Sequence, residues 1–163
     1  PWHVRGLIAM AASPRFVTAE DWRTAVAAEV FTRFAAELQD DYRMTLERFL
    51  MLEAAGSAHA HAEVRALRDA VFAHGEPAEA ALLQGLAMLA AVDLRAELAQ
   101  LAQPHLWIAG RRDKLVPWQA MQWASEATSD GRFHCVAAAG HAPFLSHAAE
   151  VAAHVRQFMS ELD

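Results

Sequence analysis

Residues 105–117 read HLWIAGRRDKLVP and residues 133–143 read FHCVAAAGHAP. Each stretch opens on a short, unbroken apolar run, closes on small residues with a glycine, and is followed at once by an ionisable side chain. His105 to Gly110, set off by Pro104, has the length and continuity of a strand buried on both faces, and Phe133 to Ala137 reads the same way. Pro117 is well placed to open a helix that runs through Met121 and Trp123 to Ala127. After the second stretch, Val151, Val155, Phe158 and Met159 recur at the spacing of one helical face. Strand, helix, strand, helix with continuous apolar strands predicts a parallel sheet covered on both sides.

In such a sheet, functional groups gather just past the C-terminal ends of the strands. Asp113 and His141 both lie there, and strands joined by a single helix are usually neighbours. The two side chains can therefore meet. A carboxylate that accepts Nδ1–H from an imidazole fixes its tautomer and stabilises its protonated form, leaving Nε2 to take a proton from a hydroxyl nucleophile. Each residue also has a plainer reading. Asp113 could be an anion ahead of the Pro117 helix or an ion partner of Arg111, Arg112 or Lys114, and His141 could be a turn residue capping the last helix. Together, in the order acid then base after consecutive strands, they match the tail of the Ser…Asp…His order of α/β-hydrolases.

Working outward, Val4 to Ala12 (VRGLIAMAA) is another apolar run, closed by Ser13-Pro14, and reads as a third strand. Residues 16–90 then change character. Thr18 begins a near capping box, with Trp22, Val26, Val30, Phe31 and Phe34 at helical spacing behind it. Asp40 can cap a second helix bearing Tyr42, Leu46, Phe49 and Leu50. Gly56-Ser57 punctuates, and Val64, Leu67 and Val71 mark a third helix stopping at His74-Gly75. Pro77 suits the start of a fourth, with Leu82, Leu83, Leu86 and Leu89 inside. Asp93-Leu94-Arg95 leads into a short helix through Leu101. Only three strands can be found, and three parallel strands bury little and leave an open edge. Either the sheet pairs with another copy or more sheet precedes residue 1, and the abrupt start at Pro1-Trp2-His3 suggests the latter.

The 163 residues suit one domain, and 55% apolar against 21% charged residues can bury a core. A net charge of -6 argues against general nucleic-acid binding, which needs a basic surface. The single cysteine, Cys135, permits no intrachain disulfide and no thiolate cluster; it fits a reducing cytoplasm and reads as a core thiol. No apolar run of 18 residues suggests a membrane span. His59 and His61 point to different helix faces, and His147 and His154 share a face without an evident third ligand. No metal site is expected.

LWIAGRRDKLVP resembles the G-x-x-D-x-x-V-P stretch around the acid of α/β-hydrolases, and AAGHAPFLSHAAEV (138–151) the G-H-x-P stretch around the base. The helical block narrows this. DDYRMTLERFLMLEAAGS (40–57), EVRALRDAV (63–71) and DLRAELAQL (93–101) resemble the lid of the pimeloyl-acyl-carrier-protein methyl ester esterases of biotin synthesis, and VRGLIAMAASPRF (4–16) their strand after the nucleophile elbow. The resemblance runs from Val4 to about Met159. It implies the C-terminal part of an α/β-hydrolase fold, of about three parallel strands, with a four-helix lid insertion. Residues 1–15 would be the core strand after the elbow helix, 16–90 the lid, and 91–163 the C-terminal half of the core.

It also implies a cytoplasmic serine carboxylesterase that hydrolyses the methyl ester of a pimeloyl chain borne on an acyl-carrier protein, with no cofactor. His141 would be the base and Asp113 its partner. Phe49, Leu50, Met51, Leu52 and Glu53 would line the substrate channel together with His141. Arg43, Arg48, Arg65 and Arg68 would meet the acidic carrier despite the net charge. Two departures stand beside this. Met44 and His61 occupy places where the relatives carry basic residues. No G-x-S-x-G elbow is present: Ser13, Ser57, Ser125, Ser129, Ser146 and Ser160 all lack the flanking glycines, and Ser13 precedes a proline that supplies no N–H for an oxyanion hole. The expectation is a chain lacking the N-terminal half of its own fold, inactive alone. The alternatives are a general short-chain carboxylesterase or other α/β-hydrolase, a split enzyme completed by a second chain, and a non-catalytic helical binding module.

Overall fold

Three strands, β1 (Leu7–Met10), β2 (His105–Gly110) and β3 (Gly131–Val136), form a sheet in the order β1-β2-β3. Both pairings are parallel, with Ile8 opposite Leu106 and Ile108 opposite His134. The computed structural model describes residues 4–54, 60–73, 75 and 78–162, with the side chain of Glu53 outside that set. The expectations attached to Gly56, Ser57, His59, His74 and Pro77 lie outside the described residues.

Every residue of β2 is buried, because helices cover the sheet on both sides. One face carries Trp107 and Ala109, packed with Val116, Met121 and Ala124, the last two from helix α6 (Trp118–Glu126). The other carries Leu106 and Ile108, packed with Val136, Ala139, Val151 and Phe158, where Val151 and Phe158 belong to helix α8 (Ala148–Ser160). The period-two alternation of β2 thus feeds two separate apolar layers, as expected for a doubly covered parallel strand. A four-residue helix, α7 (Pro143–Ser146), intervenes before α8.

Between β1 and β2 the chain builds four lid helices and a short fifth one: α1 (Ala28–Asp40), α2 (Tyr42–Glu53), α3 (Ala60–Phe72), α4 (Glu79–Ala91) and α5 (Arg95–Leu98). α1 packs on α2 and α4, and α2 on α3. The lid's own core is small, with Leu38, Leu46, Leu50 and Ala54 buried. Asp41 caps α2 by accepting the Met44 N–H at 3.0 Å. The cap therefore falls one residue beyond the expected Asp40.

Two further boundaries differ from the sequence expectation. The strand read over 4–12 pairs only over Leu7–Met10, since Ala11 turns to φ 46° and takes the chain off the sheet. Trp22 and Val26 precede the first helix instead of lying on it. Their backbone groups bond Ala19, Phe16 and Thr18, and the Trp22 indole N–H donates to the Arg15 carbonyl at 3.0 Å. These bonds satisfy the backbone without an α-helical ladder. Trp22 is instead a peg: it is buried and meets Trp123 of α6 edge-on, 5.0 Å between ring centres.

The two strands of chain that connect lid and core run side by side. The Leu94 N–H donates to the Pro14 carbonyl at 2.9 Å. Asp93 lies between Arg15 (2.5 Å) and Arg95 (2.8 Å), and Arg95 reaches on to Asp21 at 2.9 Å. These hydrogen bonds, that of Arg95 foremost, hold the Asp93 carboxyl well below the usual carboxylate range. Among the described residues, no helix is long and apolar enough to cross a membrane.

Candidate active site

The end of β2 and the end of β3 are stitched together by their backbones. The Arg111 N–H donates to the Val136 carbonyl and the Arg112 N–H to the Ala139 carbonyl, both at 2.9 Å. Only a glycine permits this approach at position 110, since a Cβ there would overlap the Gly140 carbonyl oxygen. The loop carrying Asp113 and the loop carrying His141 are thus locked side by side before either side chain is considered.

Asp113 then folds back on its own loop. Its Oδ1 accepts the N–H groups of Leu115 (2.8 Å) and Val116 (2.9 Å), an aspartate turn that ends with Val116 buried in the core. Its Oδ2 stands 2.8 Å from His141 Nδ1. The Asp113 side chain has no exposed surface, whereas His141 retains 21% of its own. An ionised carboxylate is an acceptor only, so a hydrogen bond to it from the imidazole requires Nδ1–H, the tautomer in which Nε2 of a neutral ring carries the lone pair. The alternative ion partners drop away for Arg111, whose guanidinium stacks on the Trp118 ring at 4.1 Å. This is the geometry of an oriented general base.

His141 and Leu115 form part of the wall of a cavity of about 790 Å3 whose other walls come from the lid, among them Val30 and Phe34 of α1, Leu46 and Phe49 of α2, and Leu82 and Leu86 of α4. The cavity is predominantly apolar. Its polar lining includes Thr45, Arg48 and the Arg33–Glu37 pair, which approach to 3.8 Å.

Of the channel residues expected from the sequence, Phe49, Leu52 and His141 line this cavity. Leu50 is turned into the lid core, Met51 is 54% exposed, and the Glu53 side chain lies outside the described residues. Of the four arginines, Arg48 reaches the cavity and its Nη2 lies 3.2 Å from the Met44 sulfur. Arg43 stacks over Phe72 at 5.2 Å. Arg65 and Arg68 are exposed on α3, where Arg68 approaches Asp69 at 3.9 Å.

The sequence reading missed the contributions of α1 and α4. A signal existed for α4: its residues EAALLQGLAMLAA are apolar on nearly every face, yet none is buried. A helix of that kind must face either a partner or a cavity. Burial pushes the Cys135 thiol upward, against a smaller opposite pull from Arg111, which disfavours its thiolate. The Ser13, Ser125, Ser146 and Ser160 hydroxyls each bond a nearby backbone carbonyl.

No family model matches the chain. It is 50% identical over 159 residues to the pimeloyl-[acyl-carrier protein] methyl ester esterase of Xanthomonas axonopodis pv. citri, covering 98% of this chain and 63% of that protein. It is 51% identical over 159 residues to the enzyme of the same name from Stenotrophomonas maltophilia, covering 61% of it. The chain therefore spans rather less than two thirds of the length of these relatives. Among solved structures, it superposes with a TM-score of 0.82 on an esterase from Exiguobacterium antarcticum, at 16% identity over 96% of this chain and 57% of that one. With a bromoperoxidase from Bacillus anthracis the TM-score is 0.84, at 18% identity, covering 96% and 58%. The fold is that of the α/β-hydrolases, and the chain is homologous to the named esterases along nearly its whole length.

Proposed function

We propose that this chain carries the acid, the base and the acyl-binding lid of a serine esterase that removes the methyl ester from a pimeloyl chain on an acyl-carrier protein, a step of biotin synthesis. The observation that carries the reading is the Asp113–His141 pair, bonded at 2.8 Å and opening into a largely apolar cavity beneath the lid. The name shared by half-identical relatives supplies the substrate. The nucleophilic serine and the oxyanion donors belong, in this proposal, to sequence outside residues 1–163, and residues 1–15, 16–90 and 91–163 serve as core strand, lid and C-terminal core. A cytoplasmic location completes the proposal, and a lone cysteine suits a reducing compartment.

His141 Nε2 takes the proton as the serine oxygen attacks the ester carbonyl, and Asp113 stabilises the imidazolium so formed. The tetrahedral adduct collapses, the C–O bond to the methoxy group breaks, and His141 returns the proton to give methanol. Water, deprotonated by the same Nε2, then cleaves the acyl-enzyme to a free carboxylate and regenerates the serine. The cavity suits a methylene chain, worth about 0.8 kcal/mol per buried CH₂. Exposed Arg43, Arg48, Arg65 and Arg68 on α2 and α3 offer positive charge to an acidic carrier.

The deciding experiment, run on the protein completed by the sequence that supplies the serine and the oxyanion donors, compares kcat/KM on pimeloyl-carrier methyl ester with that on the methyl ester of a free short-chain acid. The expected result is a preference for the carrier substrate of at least about tenfold, or 1.4 kcal/mol in transition-state binding. Equal values would replace this reading with a general short-chain carboxylesterase.

A further inference from the structure

We infer that His134, Glu150 and His154 form a binding site for a late first-row divalent cation, of which Zn2+ is the natural probe. His134 lies on β3 opposite Ile108 and so points to the α8 side of the sheet. Glu150 and His154, four residues apart on α8, share the helix face turned toward it. His134 Nε2 stands 2.9 Å from Glu150 Oε1. The His134 and His154 rings stack with centres 3.5 Å apart and planes inclined by 27°. One ligand atom from each of the three residues lies within 4.8 Å of the others.

Those spacings are close to what coordination needs. Bonds of about 2.0–2.2 Å to imidazole nitrogen and carboxylate oxygen allow two ligand atoms to stand up to roughly 4.2 Å apart across one ion. Closing the site takes a rotation of one imidazole out of the stack, which brings its nitrogen and the Glu150 carboxylate toward a common point. His134 and Glu150 are 24% and 43% exposed and have room for it. Arg132, the neighbouring cation on β3, is turned away onto Glu161 and the Phe158 ring, so it does not occupy the site. Two imidazoles and one carboxylate select zinc, copper or nickel over magnesium or calcium, with water completing the shell. Bound there, the ion would fasten α8 to the strand whose end leads into the His141 loop. The site lies on the sheet face packed against α8 and rests on none of the catalytic assignments.

Metal-free protein titrated with Zn2+ in a calorimeter, with a thermal melt run in parallel, tests this. The expected result is one equivalent bound and a raised Tm, with affinity falling at least about tenfold in both His154→Ala and Glu150→Gln. Absence of saturable binding would overturn the inference. So would binding that both substitutions leave unchanged, the result that coordination by His61 or His147 would give.

Discussion

The loops that bear Asp113 and His141 and the lid above them are built on opposite plans. The loops are held by backbone hydrogen bonds, by a glycine contact that admits no side chain, and by a carboxylate with no exposed surface. The lid is held mainly by apolar side chains, and it leaves Met44, Met51, Leu52 and Met88 between 42% and 61% exposed. The proposed proton transfer would demand a fixed separation between donor and acceptor, which backbone stitching can supply. The acyl chain of the proposed substrate would tolerate adjustment, which methionines and leucines on the lid helices can supply. The comparison teaches that the backbone is tied most closely at the proposed acid–base pair, and that the lid leaves apolar side chains around a cavity and at the surface.

The sharpest way to break the comparison is within the loops. Asp113→Asn keeps the shape of the side chain but can no longer orient His141 as an anion. Steady-state assays should show kcat for the ester falling by about 10⁴-fold. A loss below tenfold would mean that the pair is structural. Gly110→Ala attacks the same region through its backbone. The added methyl collides with the Gly140 carbonyl, so urea unfolding should show a loss of about 3 kcal/mol, and the 2.8 Å Asp113–His141 bond should not survive intact.

The lid should respond more gently. Phe49 lines the cavity and leans on Phe34, with ring centres 5.4 Å apart. Phe49→Ala should raise KM for the pimeloyl substrate about tenfold while kcat changes little, because it removes binding that substrate and transition state share. The smallest effect is expected at the neck. Asp93→Asn removes a charged partner from Arg15 and Arg95, which should cost about 1 kcal/mol, measured by urea unfolding at neutral pH. The pH dependence follows from the lowered carboxyl. The folded pKa lies below the unfolded value of about 3.9, so the Asp93 contribution is complete above that value. It fades as pH falls toward the folded pKa, and the gap between wild type and variant should narrow in acid.

The same contrast explains what the sequence made legible. β2 is found where the apolar run places it, since Pro104 and Gly110 bound a strand buried on both faces. Asp113 and His141 could be paired from strand order alone, because a parallel sheet puts the ends of adjacent strands together. The lid was legible as helices but not in its details. Trp22 and Val26 have helical spacing, yet the contact of Trp22 with Trp123 and the backbone bonds of both residues to Phe16, Thr18 and Ala19 override it. The cavity depends on how α1, α2 and α4 are arranged around a shared interior, which no single helix encodes. His134, Glu150 and His154 were likewise invisible as a group. Periodicity pairs His154 with His147, whereas the sheet register brings it to His134.

The most direct measurement is the rate of pimeloyl-carrier methyl ester hydrolysis by the His141→Ala variant of the protein completed by its serine-bearing sequence. If His141 Nε2 is the base at the floor of the lid cavity, kcat falls by at least about 10⁴-fold. A kcat within tenfold of wild type would contradict that assignment.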